Sequence, residues 1–307
     1  MANINNKLEY INTMAADPVP FILQCERRYQ NIIDSIAQRI VDEEGREIVM
    51  LAGPSSAGKT TTARKLSECL IKKGIKTYVL SLDDFYLNRE DIPYLHDGTQ
   101  DFETVEALDL KCFEKSVNAL LRGETVKAPV FDFTTGRRSE IQFNEITLGE
   151  GDVVVIEGLH ALNPVITGKI VGKLLKIYIN VSSRIYDEKG NIILNKRNMR
   201  FIRRMVRDYK FRDSSVENTY RLWKNVTAGE EKYLFPYRDN ADIRVNTIHL
   251  YESCVLKHQA LPLLQNSVIS EDFRTEAKRL CKALEKFVDI EESLVPQNSL
   301  LREFLGK

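Results

Sequence analysis

Five apolar residues, Ile48-Val49-Met50-Leu51-Ala52, run directly into Gly53-Pro54-Ser55-Ser56-Ala57-Gly58-Lys59-Thr60. A helical pattern follows, with Ala63, Leu66, Leu70 and Ile71 on one face. A continuous apolar run of this length is the pattern of a buried parallel strand. The loop matches G-x-x-x-x-G-K-[ST] in full, between a strand and a helix, where its mechanism needs it. The glycines let the backbone close around phosphate oxygens. Successive N–H groups and the helix N-terminus present positive potential to an anion. Lys59 is placed to reach the β- and γ-phosphates, and the Thr60 hydroxyl to bind Mg²⁺. The segment therefore predicts a nucleoside triphosphate site on Gly53, Ser55, Ser56, Ala57, Gly58, Lys59, Thr60 and Thr61.

Such a loop needs a second acid for the metal. Glu157 closes the apolar run Val153–Ile156, where a lone carboxylate is badly desolvated and a metal partner is the natural reading. Leu80-Ser81-Leu82-Asp83-Asp84 places two more carboxylates at the carboxyl end of a strand, the edge where open α/β sheets bind ligands. An aspartate there can take the proton of an attacking hydroxyl. Further strands are expected at Thr77–Leu80, Leu175–Ile179 and Asp242–Val245, and helices at Leu108–Leu121, Lys196–Tyr209 and Val216–Tyr233. Asp187–Asn191 reads as a hairpin turn. Strand and helix in alternation predict a three-layer α/β/α fold with a mostly parallel sheet.

The chain of 307 residues is 43% hydrophobic and 29% charged, ordinary for a globular protein with a real core. Lys+Arg and Asp+Glu are equal at 44 each, which argues against a whole-molecule basic field for nucleic acid. No apolar run approaches a membrane span, and Met1–Lys7 lacks the layout of a signal peptide. Five well-separated cysteines without a CxxC pair fit reduced thiols, so a cytoplasmic location is expected. The expected organisation is a helical extension over 1–46, an α/β core over 47–264 that carries the phosphate loop and an Arg-rich segment at 196–235, and a helical extension over 265–307. The polar stretch 42–46 marks the first boundary. Residues from Pro296 on read either as a frayed end or as a docking peptide.

Arg200, Arg203, Arg204 and Arg207 fall at i, i+3, i+4 and i+7 and so share one helical face. Guanidiniums gathered in this way suit phosphate oxygens and the charge of a phosphoryl-transfer transition state. Arg212 extends the same segment.

These blocks together resemble the uridine kinase and phosphoribulokinase group of P-loop kinases, over roughly Glu47–Leu264. Asp83-Asp84-Phe85-Tyr86 is similar to the family's "D-S/D-F-Y", which makes Asp83 the catalytic base and Tyr86 an acceptor contact. Asp101–Asp109 is similar to "N-F-D-x-P-x-A-x-D", with Glu103 in the place of the acid that holds the ribose hydroxyls. Pro129-Val130-Phe131-Asp132-Phe133 resembles "P-x-Y-D-F", so Phe131 and Phe133 line the acceptor site. Glu157-Gly158 matches the family "E-G", and Arg200–Asp208 the lid-helix "R-x-x-R-R-x-x-R-D". Phe131 replaces the family tyrosine, and Gly136 stands where a base-reading histidine is usual, with Arg137 or Arg138 as substitutes or as contacts to a phosphorylated acceptor.

The resemblance implies ATP and Mg²⁺ (on Thr60 and Glu157), catalysis by Asp83, Lys59, Arg200, Arg203 and Arg207, and acceptor contacts from Arg137 and Arg203. The expected reaction is phosphorylation of a nucleoside 5′-hydroxyl, uridine or cytidine. A phosphoribulokinase-like, sugar or vitamin kinase is the alternative. The small-molecule acceptor is the expected partner, without nucleic acid or membrane, and the family also forms oligomers. A GTPase needs N-K-x-D, which Asn195-Lys196-Arg197-Asn198 fails at its last position. A non-catalytic nucleotide-binding module has little use for Lys59, Asp83, Glu157 and the arginine stripe together.

Overall fold

In the computed structural model, which describes residues 6–306 apart from 44, 46, 95–97 and 134, strands and helices alternate as the patterning requires. Part of the polar stretch 42–46 and most of Met1–Lys7 thus lie outside the described residues. The chain opens with α1 (Leu8–Ala15) and the long α2 (Pro18–Asp42), then β1 (Ile48–Ala52), α3 (Lys59–Lys72) and β2 (Thr77–Ser81). Next come α4 (Leu110–Leu121), the ribbon strands β3 (Val126–Asp132) and β4 (Arg137–Ile146), β5 (Val153–Gly158), the short α5 (Pro164–Thr167) and β6 (Leu174–Asn180). A hairpin of β7 (Ile185–Tyr186) and β8 (Ile192–Leu194) leads into α6 (Lys196–Phe211) and α7 (Val216–Tyr233). The chain continues through β9 (Ile243–Asn246), α8 (Glu252–Asn266), α9 (Glu271–Leu284) and α10 (Arg302–Leu305).

The central sheet has five strands in the order β2-β5-β1-β6-β9, every pair parallel. β1 is buried along its whole length and serves both faces. Val49 and Leu51 enter one core with α2, α3, α6 and α8, while Ile48, Met50 and Ala52 enter the other with α4 and α5. The period of two explains the unbroken apolar run: a strand covered on both sides has no polar face. Among the described residues, no helix is long and apolar enough to cross a membrane.

Two features depart from the sequence reading. The ribbon β3–β4 was not anticipated, because most of β4 is exposed and carries no apolar face to signal a strand. Pro129 sits beside its register irregularity, where a missing N–H is tolerated. Residues 285–301 are not continuously helical, as the 265–307 reading expects; they run through turns and irregular backbone with a single 3₁₀ turn at Glu292–Leu294. The segment from Pro296 is no frayed end, since Leu300, Leu301, Phe304 and Leu305 are fully buried.

Candidate active site

The parallel order brings three strand ends together. β1 lies between β5 and β6, with Leu51 level with Glu157, and β2 flanks β5 with Ser81 level with the same Glu157. The loop after β1, Glu157 on β5 and Asp83 just past β2 therefore meet at the carboxyl edge of the sheet. Glu157 is 4% exposed and accepts from the Thr60 hydroxyl (3.0 Å) and the Ser81 hydroxyl (3.1 Å).

The loop backbone is held from outside. The Ser55 carbonyl accepts from Arg200 (3.0 Å), that of Ser56 from Arg203 (3.3 Å), that of Ala57 from the Thr247 hydroxyl (2.8 Å) and that of Gly58 from the Thr62 hydroxyl (2.6 Å). Tyr29 of α2 closes on Thr62 in turn, at 2.6 Å. Carbonyls tied to these donors are kept from turning toward a bound anion, which leaves that role to the amides other than those of Ser55, which donates to Glu230 (2.8 Å), and Ala57, which donates to the Pro54 carbonyl (3.2 Å). Ser56 adopts a left-handed conformation (φ 58°), costly for a residue with a Cβ and typical of strained functional loops. Gly53 passes so near β6 that a Cβ there would lie 2.7 Å from the Ile179 carbonyl. The buried Ser56 hydroxyl has no hydrogen-bond partner among the described residues. A buried orphan donor in a cradle of amides is what a phosphate oxygen would satisfy.

The two aspartates after β2 differ in role. Asp84 accepts from the Phe131 amide (3.2 Å) and so braces the ribbon. Asp83 is held only through its backbone, its amide donating to the Ser81 hydroxyl at 3.3 Å. Burial pushes the Asp83 carboxyl upward, against the opposing charges of Lys59, Arg212 and Arg207. Glu157 is pushed to about 7, by burial first, with Lys59 opposing and Asp83 adding. Glu157 and Asp83 are two desolvated carboxylates that raise one another, and a divalent cation between phosphate and Glu157 would offset that repulsion. Among the described residues no cluster of His, Cys, Asp and Glu could hold an ion alone. Thr60 and Glu157 thus fit an Mg²⁺ that completes its shell with phosphates and water.

Around Asp83, Tyr86 donates to the Phe102 carbonyl (2.9 Å), and its ring lies 5.6 Å from Phe131, which lies 5.1 Å from Phe133. Phe131 is buried, whereas Phe133 is 63% exposed. Glu103 packs against α7, where a Cβ on Gly229 would lie 2.4 Å from its own Cβ. That close approach accounts for a glycine in a helix interior, otherwise unfavourable by about 1 kcal/mol. Burial raises Glu103 to about 7, with Arg204 opposing.

The arginine face is divided. Arg200 and Arg203 are 2% and 0% exposed, not poised over an open site as the lid reading expects. Arg200 forks onto Glu230 (2.6 and 2.8 Å), and Arg203 onto Glu252 (3.1 and 2.6 Å). The reason is a pair of buried acids lying 30 and 49 residues further on, invisible to local spacing. Both arginines grip the loop carbonyls and act as positioning groups. Arg204 reaches the Ser55 hydroxyl (2.7 Å) and Asp208 (3.1 Å), and Arg207 pairs with Asp208 (2.7 Å). Arg207 and Arg212 lie near enough to Asp83, and Arg204 to Glu103, for their charges to act with Lys59 against the burial of those carboxyls.

Arg137 lies at the surface, paired with Glu90 (2.8 Å) and opposite Asp132 in the ribbon. Arg138 binds the Phe85 and Tyr86 carbonyls and Asp109. Asn195 caps α6 by accepting from the Arg197 and Asn198 amides, so the N-K-x-N run is a helix start and not a guanine reader.

Sequence reasoning also missed His160, whose Nε2 donates to the Glu103 carbonyl (3.0 Å) while Nδ1 has no partner among the described residues. Its position two residues after Glu157-Gly158 was the only signal. Burial drops its pKa from 6.5 to about 4. The unfolded chain then takes a proton between pH 6.5 and 4 that the folded chain refuses, so stability falls as pH falls through that window. The loss is roughly 3 kcal/mol in full. Denaturant unfolding at pH 7.5 and pH 5 should show His160→Asn losing less stability than the native chain on acidification; equal losses would contradict the assignment.

A family model described as Phosphoribulokinase / Uridine kinase family matches residues 48–251. The chain belongs to that family. Within the Phosphoribulokinase / Uridine kinase family it is 28% identical over 204 residues to a uridine kinase of Mycoplasma genitalium, covering 66% of this chain and 85% of the relative. It is 29% identical over 197 residues to a uridine kinase of Deinococcus deserti, covering 64% and 85%. A solved structure described as a putative fructose transport system kinase from Silicibacter sp. TM1040 superposes with a TM-score of 0.50 at 19% identity, covering 69% of this chain and 98% of that one. That likeness shows the fold. The chain is an ATP-dependent kinase of the family, with a parallel-sheet P-loop architecture.

Proposed function

We propose that this kinase transfers the γ-phosphoryl group of ATP to the 5′-hydroxyl of a pyrimidine nucleoside. The observation that supports it most is Asp83, the unbraced carboxylate beside Lys59, with the aromatic group Tyr86, Phe102, Phe131 and Phe133 alongside. Asp83 accepts the hydroxyl proton as the oxygen attacks phosphorus. Lys59 and the loop amides hold the phosphate oxygens, and Arg204, Arg207 and Arg212 offset charge on the transferring group. Thr60 and Glu157 would hold Mg²⁺, which would supply charge neutralisation at the phosphates.

The ribbon favours a planar base over a second phosphate on the acceptor. Its arginines are already engaged, Arg137 by Glu90 and Arg138 by carbonyls and Asp109. What it offers is aromatic surface, including the exposed Phe133 ring. Glu103 accepts from the ribose hydroxyls. A coupled assay of ADP release with uridine, cytidine, ribulose 5-phosphate and pantothenate tests this. Turnover with the pyrimidine nucleosides is expected, and turnover confined to the phosphorylated sugar or to pantothenate would overturn the reading. Glu103→Ala should raise the nucleoside KM by tenfold or more with the KM for ATP little changed, as expected when hydrogen bonds from a charged group are lost.

A further inference from the structure

The segment Ser299–Leu305 lies against the phosphate loop. Leu300 covers Gly58 so tightly that a Cβ there would lie 2.6 Å from its side chain. Glu303 accepts from the hydroxyl of Thr61, in the first turn of α3, at 2.7 Å. The segment is fixed in place. Leu300, Leu301, Phe304 and Leu305 are fully buried. Ser299 donates to Glu26 (2.5 Å), and Lys210 donates to the Leu305 carbonyl. Arg302 binds the Glu292 carbonyl (3.1 Å). Glu303 cannot leave with a loose end.

The consequence follows from counting protons. A threonine hydroxyl has one to donate, and that of Thr61 goes to a carboxylate. A polyphosphate at this helix end meets a threonine that offers lone pairs and, behind it, a negative charge. The Glu303 charge also reaches Arg212, which faces Asp83 as well. We infer that Glu303 is a positioning residue acting through Thr61 that weakens the enzyme's hold on the nucleotide and thereby speeds release of ADP. The inference rests on nucleotide binding at the P-loop.

The test is calorimetric binding of MgADP and MgATP, with kcat and KM, for the full chain and its variants. Glu303→Gln keeps an acceptor for Thr61 and removes only the charge; both nucleotides should bind roughly 3- to 10-fold tighter, less so at high salt. Glu303→Ala also frees the Thr61 proton and should bind about tenfold tighter or more, with KM for ATP and kcat both falling. In a Thr61→Val background the part of the Glu303→Ala gain that exceeds Glu303→Gln should vanish. Unchanged or weaker nucleotide binding in Glu303→Gln, with only the melting temperature moved, would overturn the inference and leave Glu303 a structural anchor. Absence of MgATP binding by the native chain would instead refute the P-loop reading itself.

Discussion

Asp83→Asn should lower kcat by two to four orders of magnitude, roughly what a positioned general base contributes, while MgATP binds as well as before or slightly tighter. The asymmetry follows from the site. Among the described residues Asp83 makes no side-chain hydrogen bond, unlike Asp84, so its replacement should not disturb the fold. It is also a negative group near Lys59, Arg207 and Arg212, and its removal leaves those cations to the phosphates. Steady-state kinetics with calorimetric MgATP binding check both halves; near-normal turnover would take Asp83 out of the base role. Asp84→Asn should behave differently, with melting temperature and acceptor KM changing more than the chemical step.

The second large effect falls on stability. Arg203→Ala leaves Glu252 buried without its guanidinium, a loss of about 3–5 kcal/mol. For a chain of this size that amounts to a fall of roughly 5–8 °C in melting temperature. The sequence alone suggests the reverse, a catalytic arginine whose loss is felt mainly in turnover. A double variant, Arg203→Met with Glu252→Leu, separates the two roles. It removes both charges and should recover much of the stability, yet the Ser56 carbonyl stays without its donor and MgATP should still bind several-fold more weakly. Scanning calorimetry and nucleotide titration of the single and double variants decide it. A single variant melting within about 2 °C of the native chain would refute the structural role.

The contrast between Arg203 and Lys59 shows what the sequence could carry. Lys59, Thr60 and the loop glycines work through neighbours in sequence, so their spacing alone announces the site. Glu157 and Asp83 each end an apolar run, and a parallel sheet must gather such ends on one edge, so their convergence was also legible. Arg200 and Arg203 share a helical face with Arg204 and Arg207, and one-dimensional periodicity could not separate them. Only the folded chain brings up Glu230 and Glu252 to claim two of the four. The ribbon strand β4 was missed for the opposite reason. Solvated over most of its length, it has no pattern of burial for a sequence to record. Glu303 was likewise invisible, since 242 residues separate it from Thr61.

The phosphate loop is pre-shaped, its carbonyls tied outward by Arg200, Arg203, Thr247 and Thr62 before any nucleotide arrives. A crystal structure of the chain with MgADP tests it directly. The expected result is a loop backbone that superposes on the one described here, amides of the loop and first helical turn on the β-phosphate, and the Arg203–Ser56 and Thr247–Ala57 bonds intact. A loop that has turned its carbonyls inward or broken those bonds, or a nucleotide seated elsewhere, would contradict it.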